Sequence, residues 1–453
     1  MASSRNILLV NPWIYDFSAY DFWLKPLGLL TVASLLKETG RFRISLVDCL
    51  DRTHPGIRRA VKRREDGRGP FPKEEVPKPE LLRDVPRRFS RYGIPVEAFE
   101  ADLESVPRPD AVLVTCTMTY WYPGVQAAVD LVRRRFGSVP VVLGGVYATL
   151  CPDHARSESG ADVVVSGPGE ETIFGVLRDI LGGDLPGDPD ERPPFSSLPP
   201  PAFDLLGDRR CLPLMTSRGC PHRCTFCASR ILSPEFEQTP PDSVVSRISG
   251  LFGRFGTRHF SFTDDALLIG KERHIVPILK GVAGLGLPLS FHTPNGLHVR
   301  EIDGPLAGLF RRAGVRSLYL SLESADTEWV KMKTAKVALE DFTRAVEALT
   351  SAGYAPSDVN VYVIAGLAGQ DFGGVVESVR VVRRHGAVPR VAYFSPIPGT
   401  EEWAILVAKG AITDGADPLL HNKVAFAHLR GEYTPEQWAE FRGLLAGPSP
   451  ELD

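Results

Sequence analysis

Strand-like and helix-like runs alternate twice along this chain of 453 residues, and a block of proline and glycine separates the two alternations. Upstream of the block, NILLVNP, RISLVD, AVLVTC, VPVVLGG and ADVVVSG are short and rich in β-branched residues, while PLGLLTVASLLKE, GVQAAVDLVRRRF and EETIFGVLRDIL carry apolar residues at helical spacing. Strand and helix in turn require a parallel sheet covered on both faces, because each crossover helix must bury its apolar stripe. A doubly wound, Rossmann-like α/β domain is therefore expected over 1–181. The block itself, 182–205, reads as a linker. Beyond it, CLPLMTSR, HFSFTDD, LSFHTPN, SLYLSLES, VNVYVIAG and VAYFSP repeat the alternation. They suggest a partial (β/α)6 barrel of the TIM type over 206–405, in which function collects on the loops after the strands. Residues 54–105 break the first alternation with Lys, Arg, Glu and Pro and read as a solvated insertion, and 406–453 as a helical tail.

A formal net charge of -3, with 43% apolar and 24% charged residues, gives no broad electrostatic reason to expect nucleic acid or an anionic membrane as partner. No apolar run approaches a bilayer span and the first residues do not read as a signal peptide, so a cytoplasmic protein is expected. Of seven cysteines, Cys49, Cys116, Cys151 and Cys211 stand singly among apolar or turn residues and read as buried thiols. The other three, Cys220, Cys224 and Cys227, form CxxxCxxC in RGCPHRCTFC. In a reducing compartment a cluster means metal more often than disulfide.

Structural zinc and closed iron-sulfur sites take four protein ligands, so three cysteines leave a position open. Placed after the first strand of a barrel, this run resembles the signature of radical S-adenosylmethionine (radical SAM) enzymes. The resemblance implies that the three cysteines hold a 4Fe-4S cluster whose open iron takes S-adenosylmethionine, with Phe226 against the adenine. It also implies that Asp264 and Asp265 of FSFTDD receive the ammonium group, and that Asn295, Ser321 and Glu323 meet the carboxylate and ribose. Gly366 and Gly369 in AGLAGQ would let backbone approach the adenine edge. Ala368 departs from the family's proline there, and SPIPGTEEW completes the likeness. A zinc knuckle with His222 as fourth ligand, and an Asp264 that only caps a helix, are the structural alternatives.

Upstream, KPLGLLTVASLLKETG, the Gly144-Gly145 pair, VYATLCPDH and SGPGEET resemble the cobalamin (B12)-binding domain that precedes the barrel in one branch of that superfamily. By that resemblance Asn11, Pro12, Tyr120, Gly144, Gly145, Gly167, Gly169 and Glu170 are the candidate corrin contacts. In a doubly wound sheet they belong to the crevice beyond the strand ends. Trp13, Tyr15, Phe17, Phe22, Trp23, Trp121 and Tyr122 crowd the same ends and suggest a broad apolar surface for corrin or for a domain interface. The D-x-H-x-x-G signature of cobalt-ligating histidines is missing: NPWIYDF stands in its place, and His54 reads as a loop residue.

What the resemblance implies is reductive cleavage of S-adenosylmethionine to a 5'-deoxyadenosyl radical. Methyl transfer to an unactivated carbon of a small-molecule substrate would follow, with cobalamin carrying the methyl group. A donor such as flavodoxin or ferredoxin would supply electrons. The same cofactors serve cyclisation, rearrangement or oxidation without methyl transfer, and nothing in the sequence separates the two chemistries. No further cysteine cluster suggests a second iron-sulfur centre. A non-catalytic metal-binding module is the remaining alternative.

Overall fold

In the computed structural model, which describes residues 4–59, 61–182, 193–334, 339–430 and 433–446, the strand β1 (Arg5–Asn11) has its last five residues buried. Burial on both faces is what a strand flanked by crossover helices requires. Helix α1 (Leu27–Glu38) buries Leu29, Leu30, Val32, Ala33 and Leu36, a stripe with helical spacing. It leads into β2 (Phe42–Asp48), which pairs parallel to β1 with Leu8 beside Ser45. After α2 (Val96–Ser105) comes β3 (Ala111–Cys116), buried at every residue and parallel to β1 on its other side. Helix α3 (Tyr122–Phe136), β4 (Val141–Gly145), β5 (Val163–Val164) and α4 (Gly169–Leu181) complete the unit. The sheet order is β5-β4-β3-β1-β2. The chain reverses its direction of travel between β1 and β3, and this switch point is where a doubly wound sheet opens a crevice.

Two expectations need correction here. Residues 54–105 are not merely solvated: Phe71, Leu82, Val85, Phe89, Tyr92 and Ile94 are buried. Two short strands of this stretch, Lys73–Glu75 and Ser90–Tyr92, form an antiparallel sheet with Ile14–Asp16. The exposed charges that the composition suggested are present as well, at Lys62–Glu65, on the Lys73–Glu75 edge and at Arg87 and Arg88. The linker 182–205 is also partly packed. Of it, 183–192 lie outside the described residues, but Phe195, Leu198, Ala202 and Phe203 are buried and the Ala202 N–H donates to the Leu30 carbonyl at 3.0 Å. Proline there stiffens a chain that lies on α1.

The second unit begins within β6 (Cys211–Leu214), after Leu212. Its other strands are β7 (His259–Phe262), β8 (Ser290–His292), β9 (Val315–Glu323), β10 (Val359–Ala365) and β11 (Val388–Tyr393). They neighbour one another in chain order. Every pair from β7 to β11 is parallel. This is the partial barrel expected. Helix α5 (Pro241–Phe255) separates β6 from β7, and α6 (Ile275–Gly284), α7 (Gly304–Ala313), α8 (Leu339–Ser351) and α9 (Phe372–Arg384) follow in turn, one between each later pair of strands. The expected tail divides: 415–422 pack with the first unit, and the described residues after 422 pack with the second. Among the described residues no helix is long and apolar enough to cross a membrane.

Close backbone approach gives a testable contrast in the first unit. A Cβ on Gly124 in α3 would lie 1.9 Å from the Trp13 carbonyl oxygen, whereas one on Gly175 in α4 meets nothing within 4 Å. Gly124→Ala is expected to cost about 1–3 kcal/mol by overpacking, against its helix propensity. Gly175→Ala should gain up to about 1 kcal/mol. Denaturant melts of the two variants check both signs.

Candidate active site

The cysteines follow β6 on a loop closed at its base by two short antiparallel strands, Ser217–Arg218 and Glu237–Gln238. Gly219 turns the chain into that loop with φ +78°, and an added Cβ would lie 2.1 Å from the Glu235 carbonyl oxygen. Only glycine fits before Cys220. Cys220 is buried, Cys224 half-buried and Cys227 exposed. The Cys227 N–H donates to the Cys224 carbonyl at 3.2 Å, and the Cys227 thiol donates to Ser229 Oγ at 3.2 Å. Phe226 is half-buried on the same loop.

Asp264, at the end of β7, anchors the base of this loop. Its Oδ1 accepts from the Thr216 N–H at 3.0 Å, Thr216 Oγ1 at 2.7 Å, the Ser217 N–H at 2.5 Å and Ser217 Oγ at 2.6 Å. Thr216 has spent its proton on Asp264, so His274 Nε2, 2.9 Å away, must be the donor to Thr216 Oγ1. Burial pushes the Asp264 carboxyl up to about 6, against the lowering effect of the hydrogen bonds from Ser217 and Thr216. Burial also pulls His274 down to about 4.

One pocket is lined by residues that follow three neighbouring strands: Asp264 and Asp265 after β7, Asn295 and Gly296 after β8, and Ser321 in β9, together with His222. Asn295 Nδ2 donates to the Thr263 and Asp264 carbonyls at 3.0 and 3.1 Å. A Cβ on Gly296 would lie 2.1 Å from Ser321 Oγ, so glycine lets this turn rest on β9. Glu323 has φ +64° where β9 shifts register against β10. A left-handed non-glycine residue costs about 1–3 kcal/mol and collects at functional sites. Gly366 at the end of β10 has φ +89°, and its N–H donates to Gln370 Oε1 at 3.0 Å. Gln370 Nε2 in turn donates to the Ile364 carbonyl at 3.0 Å, closing the loop that carries Ala368 and Gly369.

The structure thus brings Asp264, Asp265, Asn295 and Ser321 to one pocket and sets Cys220, Cys224 and Cys227 on one loop. It changes the reading of Asp264, whose Oδ1 is occupied by the polypeptide. Asp265 is the exposed carboxylate of the pair, and Asp264 Oδ2 is buried without a hydrogen-bond partner. Three cysteines on one loop with a polar pocket lined from neighbouring strand ends fit an open cluster and a polar ligand. His222 stacks on His298 with centroids 4.8 Å apart, and among the described residues no three metal-ligating side chains converge on one point.

The first unit corrects the expected aromatic surface. Trp13, Phe17, Trp23, Tyr120 and Tyr122 are buried. Trp13 packs on Phe99 at 4.7 Å and Phe17 on Phe89 at 5.2 Å, so the stretch taken for a solvated insertion covers them. Asn11 Nδ2 donates to Asp48 Oδ1 at 2.7 Å, Pro12 is buried, and burial holds the Tyr120 phenol well above its usual range. Gly145 has φ +94°, and an added Cβ would lie 2.7 Å from the Cys116 carbonyl oxygen. A Cβ on Gly169 would touch Val32, which lets α4 pack on α1, and Glu170 follows it in the first turn of α4. At Gly144 and Gly167 an added Cβ meets nothing within 4 Å. The backbone at those two positions is open to the approach of a flat ligand. Residues 415–422 also lie here: Tyr122 Oη donates to Asp417 at 3.1 Å, His421 Nδ1 is 3.0 Å from Thr119 Oγ1, and Asn422 Nδ2 donates to Asp16 Oδ1 at 2.9 Å.

A model of the radical SAM superfamily matches residues 214–382, and one of the B12 binding domain matches residues 87–177. The chain carries a radical SAM domain. An uncharacterized methyltransferase of Pyrococcus horikoshii is 28% identical over 244 residues, which cover 48% of this chain and 52% of that protein. Hopanoid C-3 methylase of Methylococcus capsulatus is 25% identical over 339 residues, 65% of this chain and 60% of that one. The matched stretches thus span little more than half the length of these curated relatives. The solved structure of the radical SAM methyltransferase TsrM from Kitasatospora setae, with cobalamin and a 4Fe-4S cluster bound, superposes with a TM-score of 0.65 at 16% identity, over 90% of this chain and 76% of that one. That likeness is one of fold.

Within this radical SAM domain, sequence reasoning missed Thr216, Ser217, His274 and Gln370. None carries a motif of its own, although MTSRGC places a threonine and a serine at the loop base. Asp264 binds a proton more tightly in the fold than in the unfolded chain, so its contribution to stability is fully present below about pH 4 and is lost as pH rises through about 6. Asp264→Asn keeps an acceptor for Thr216 and Ser217 and removes the buried charge. Its melting temperature relative to wild type should therefore rise between pH 4 and 6 and then level off. Asp264→Ala leaves four donors unmatched and should cost at least about 1–3 kcal/mol at any pH.

Proposed function

We propose that this chain is a cobalamin-dependent radical SAM methyltransferase that acts on an unactivated carbon of a small-molecule substrate. The observation that carries the reading is the open triplet of cysteines on a glycine-turned loop beside a polar pocket at the strand ends, downstream of a B12 binding domain. Relatives named as methyltransferases support methyl transfer, and others named as cyclases keep cyclisation as the second reading.

In this reading Cys220, Cys224 and Cys227 hold a 4Fe-4S cluster and leave one iron to S-adenosylmethionine. When bound, these groups supply a 5'-deoxyadenosyl radical, and cobalamin supplies a methyl group. The chain's own residues bind and orient. Asp265 is the exposed carboxylate suited to an ammonium group, a charge-assisted contact. Asn295 holds the turns after β7 and β8 together, so its role is to shape the pocket that Ser321 lines. Glu323, held in a strained conformation, presents a carboxylate at the end of β9 for ribose or amino groups. Phe226 and the turned backbone at Gly366 frame the adenine. Gly144 and Gly167 leave bare backbone for the corrin. A flavodoxin- or ferredoxin-like donor would deliver the electron.

Holoenzyme assembled without oxygen, reduced and given S-adenosylmethionine should release S-adenosylhomocysteine, the mark of methyl transfer, together with 5'-deoxyadenosine. Cys224→Ala should abolish 5'-deoxyadenosine. Release of 5'-deoxyadenosine alone, with a product that gains no carbon from labelled methyl groups, would replace methyl transfer by cyclisation, rearrangement or oxidation.

A further inference from the structure

Thr225 stands between Cys224 and Phe226, and each of its polar groups is tied to chain outside the cysteine loop. Its N–H donates to the Lys333 carbonyl at 2.9 Å and its carbonyl accepts from the Glu402 N–H at 3.0 Å. Its hydroxyl donates to Glu402 Oε1 at 2.9 Å. The same Oε1 accepts from Lys333 Nζ at 2.5 Å. Glu402 has no side-chain exposure and Lys333 has 15%. Glu402 Oε2 is buried without a hydrogen-bond partner. Lys333 ends the helix Thr327–Lys333 that follows β9, and Glu402 lies in the first turn of the helix Glu401–Ala408 that follows β11. Two helices from separate parts of the barrel thus converge on the middle of the loop.

A carboxylate withdrawn from water this completely costs several kcal/mol unless it is paired and hydrogen-bonded. Here the pairing partner is Lys333 and the neutral donor is Thr225. The three side chains form one unit in which both charges flank the loop that carries the cysteines.

Resting on the assignment of a cluster to those cysteines, we propose that Lys333 and Glu402 are positioning residues that clamp the loop at Thr225. By fixing that residue they set the placement of Cys224 and Cys227, and the balance of their two charges tunes the cluster's reduction potential. Cluster potentials follow net charge and hydrogen bonding in the surrounding shell. With Lys333 neutralised, the remaining carboxylate favours the oxidised cluster and the potential falls. With Glu402 neutralised, the remaining ammonium favours the reduced cluster and the potential rises.

The experiment uses the full chain, reconstituted with iron and sulfide without oxygen, as wild type, Lys333→Met, Glu402→Gln, Thr225→Val and Thr225→Ser. Iron per chain after desalting, the potential by redox titration followed by electron paramagnetic resonance, and the melting curve of the metal-free chain are read for each. Lys333→Met should lower the potential and Glu402→Gln should raise it. Thr225→Val should weaken iron retention about 10-fold or more, and Thr225→Ser should restore it. A merely structural clamp would not give potential shifts of opposite sign. Should either charge variant fail to melt cooperatively, the Thr225 pair still decides by iron retention. A wild-type chain that holds a cluster, with variants that keep both its iron and its potential, overturns this inference alone. A wild-type chain that takes up no cluster overturns the cysteine assignment and this inference with it.

Discussion

The contact between Asp264 and the Thr216-Ser217 pair organises the face of the barrel that carries the cysteine loop. One carboxylate oxygen gathers two backbone N–H groups and two hydroxyls, so the end of β7 and the start of the cysteine loop cannot move independently. Burying that carboxyl is unfavourable in itself, and its raised proton affinity records the strain. The four donors offset the cost, and His274 completes the network from behind Thr216. What the fold gains is a fixed base for a loop that, between its anchors, presents sulfur instead of apolar surface. Gly219 makes the arrangement sterically possible, since any side chain there would strike the backbone at Glu235.

Much of this was legible in the sequence, for a physical reason. The strands of both units are runs of β-branched and aromatic residues whose period differs from that of the helices between them, and every barrel strand expected from those runs is present. The cysteine spacing was legible because thiolates are rarely grouped except to hold metal. What could not be read was which polar side chains serve a ligand and which serve the chain. Asp264 and Asp265 are adjacent and chemically identical, yet one lies inside the hydrogen-bond network of β6 and the other faces out. Only the direction in which the strand end turns separates them.

The first unit shows the opposite error. Its aromatics follow the strand ends, where ligands bind in doubly wound sheets, and a sequence cannot show that another segment covers them. Phe89 and Phe99, embedded in a stretch whose charges suggest solvent, pack on Phe17 and Trp13. Local composition reports what faces water along a segment, and it is silent on the few large side chains that pin the segment down. Likewise Asp417, His421 and Asn422, which looked like tail residues, supply polar contacts to Tyr122, Thr119 and Asp16 through their place in space.

The proposed function requires an open iron-sulfur cluster held by the three cysteines and accompanied by a corrinoid. The most direct test is made on full-length protein expressed with hydroxocobalamin and purified without oxygen: the absorption spectrum together with counts of iron, sulfide and extracted corrinoid. About four iron and four sulfide per chain, with stoichiometric corrinoid, is the predicted result. Zinc in place of iron would contradict the cluster, and a cluster without corrinoid would contradict the cofactor reading of the first unit.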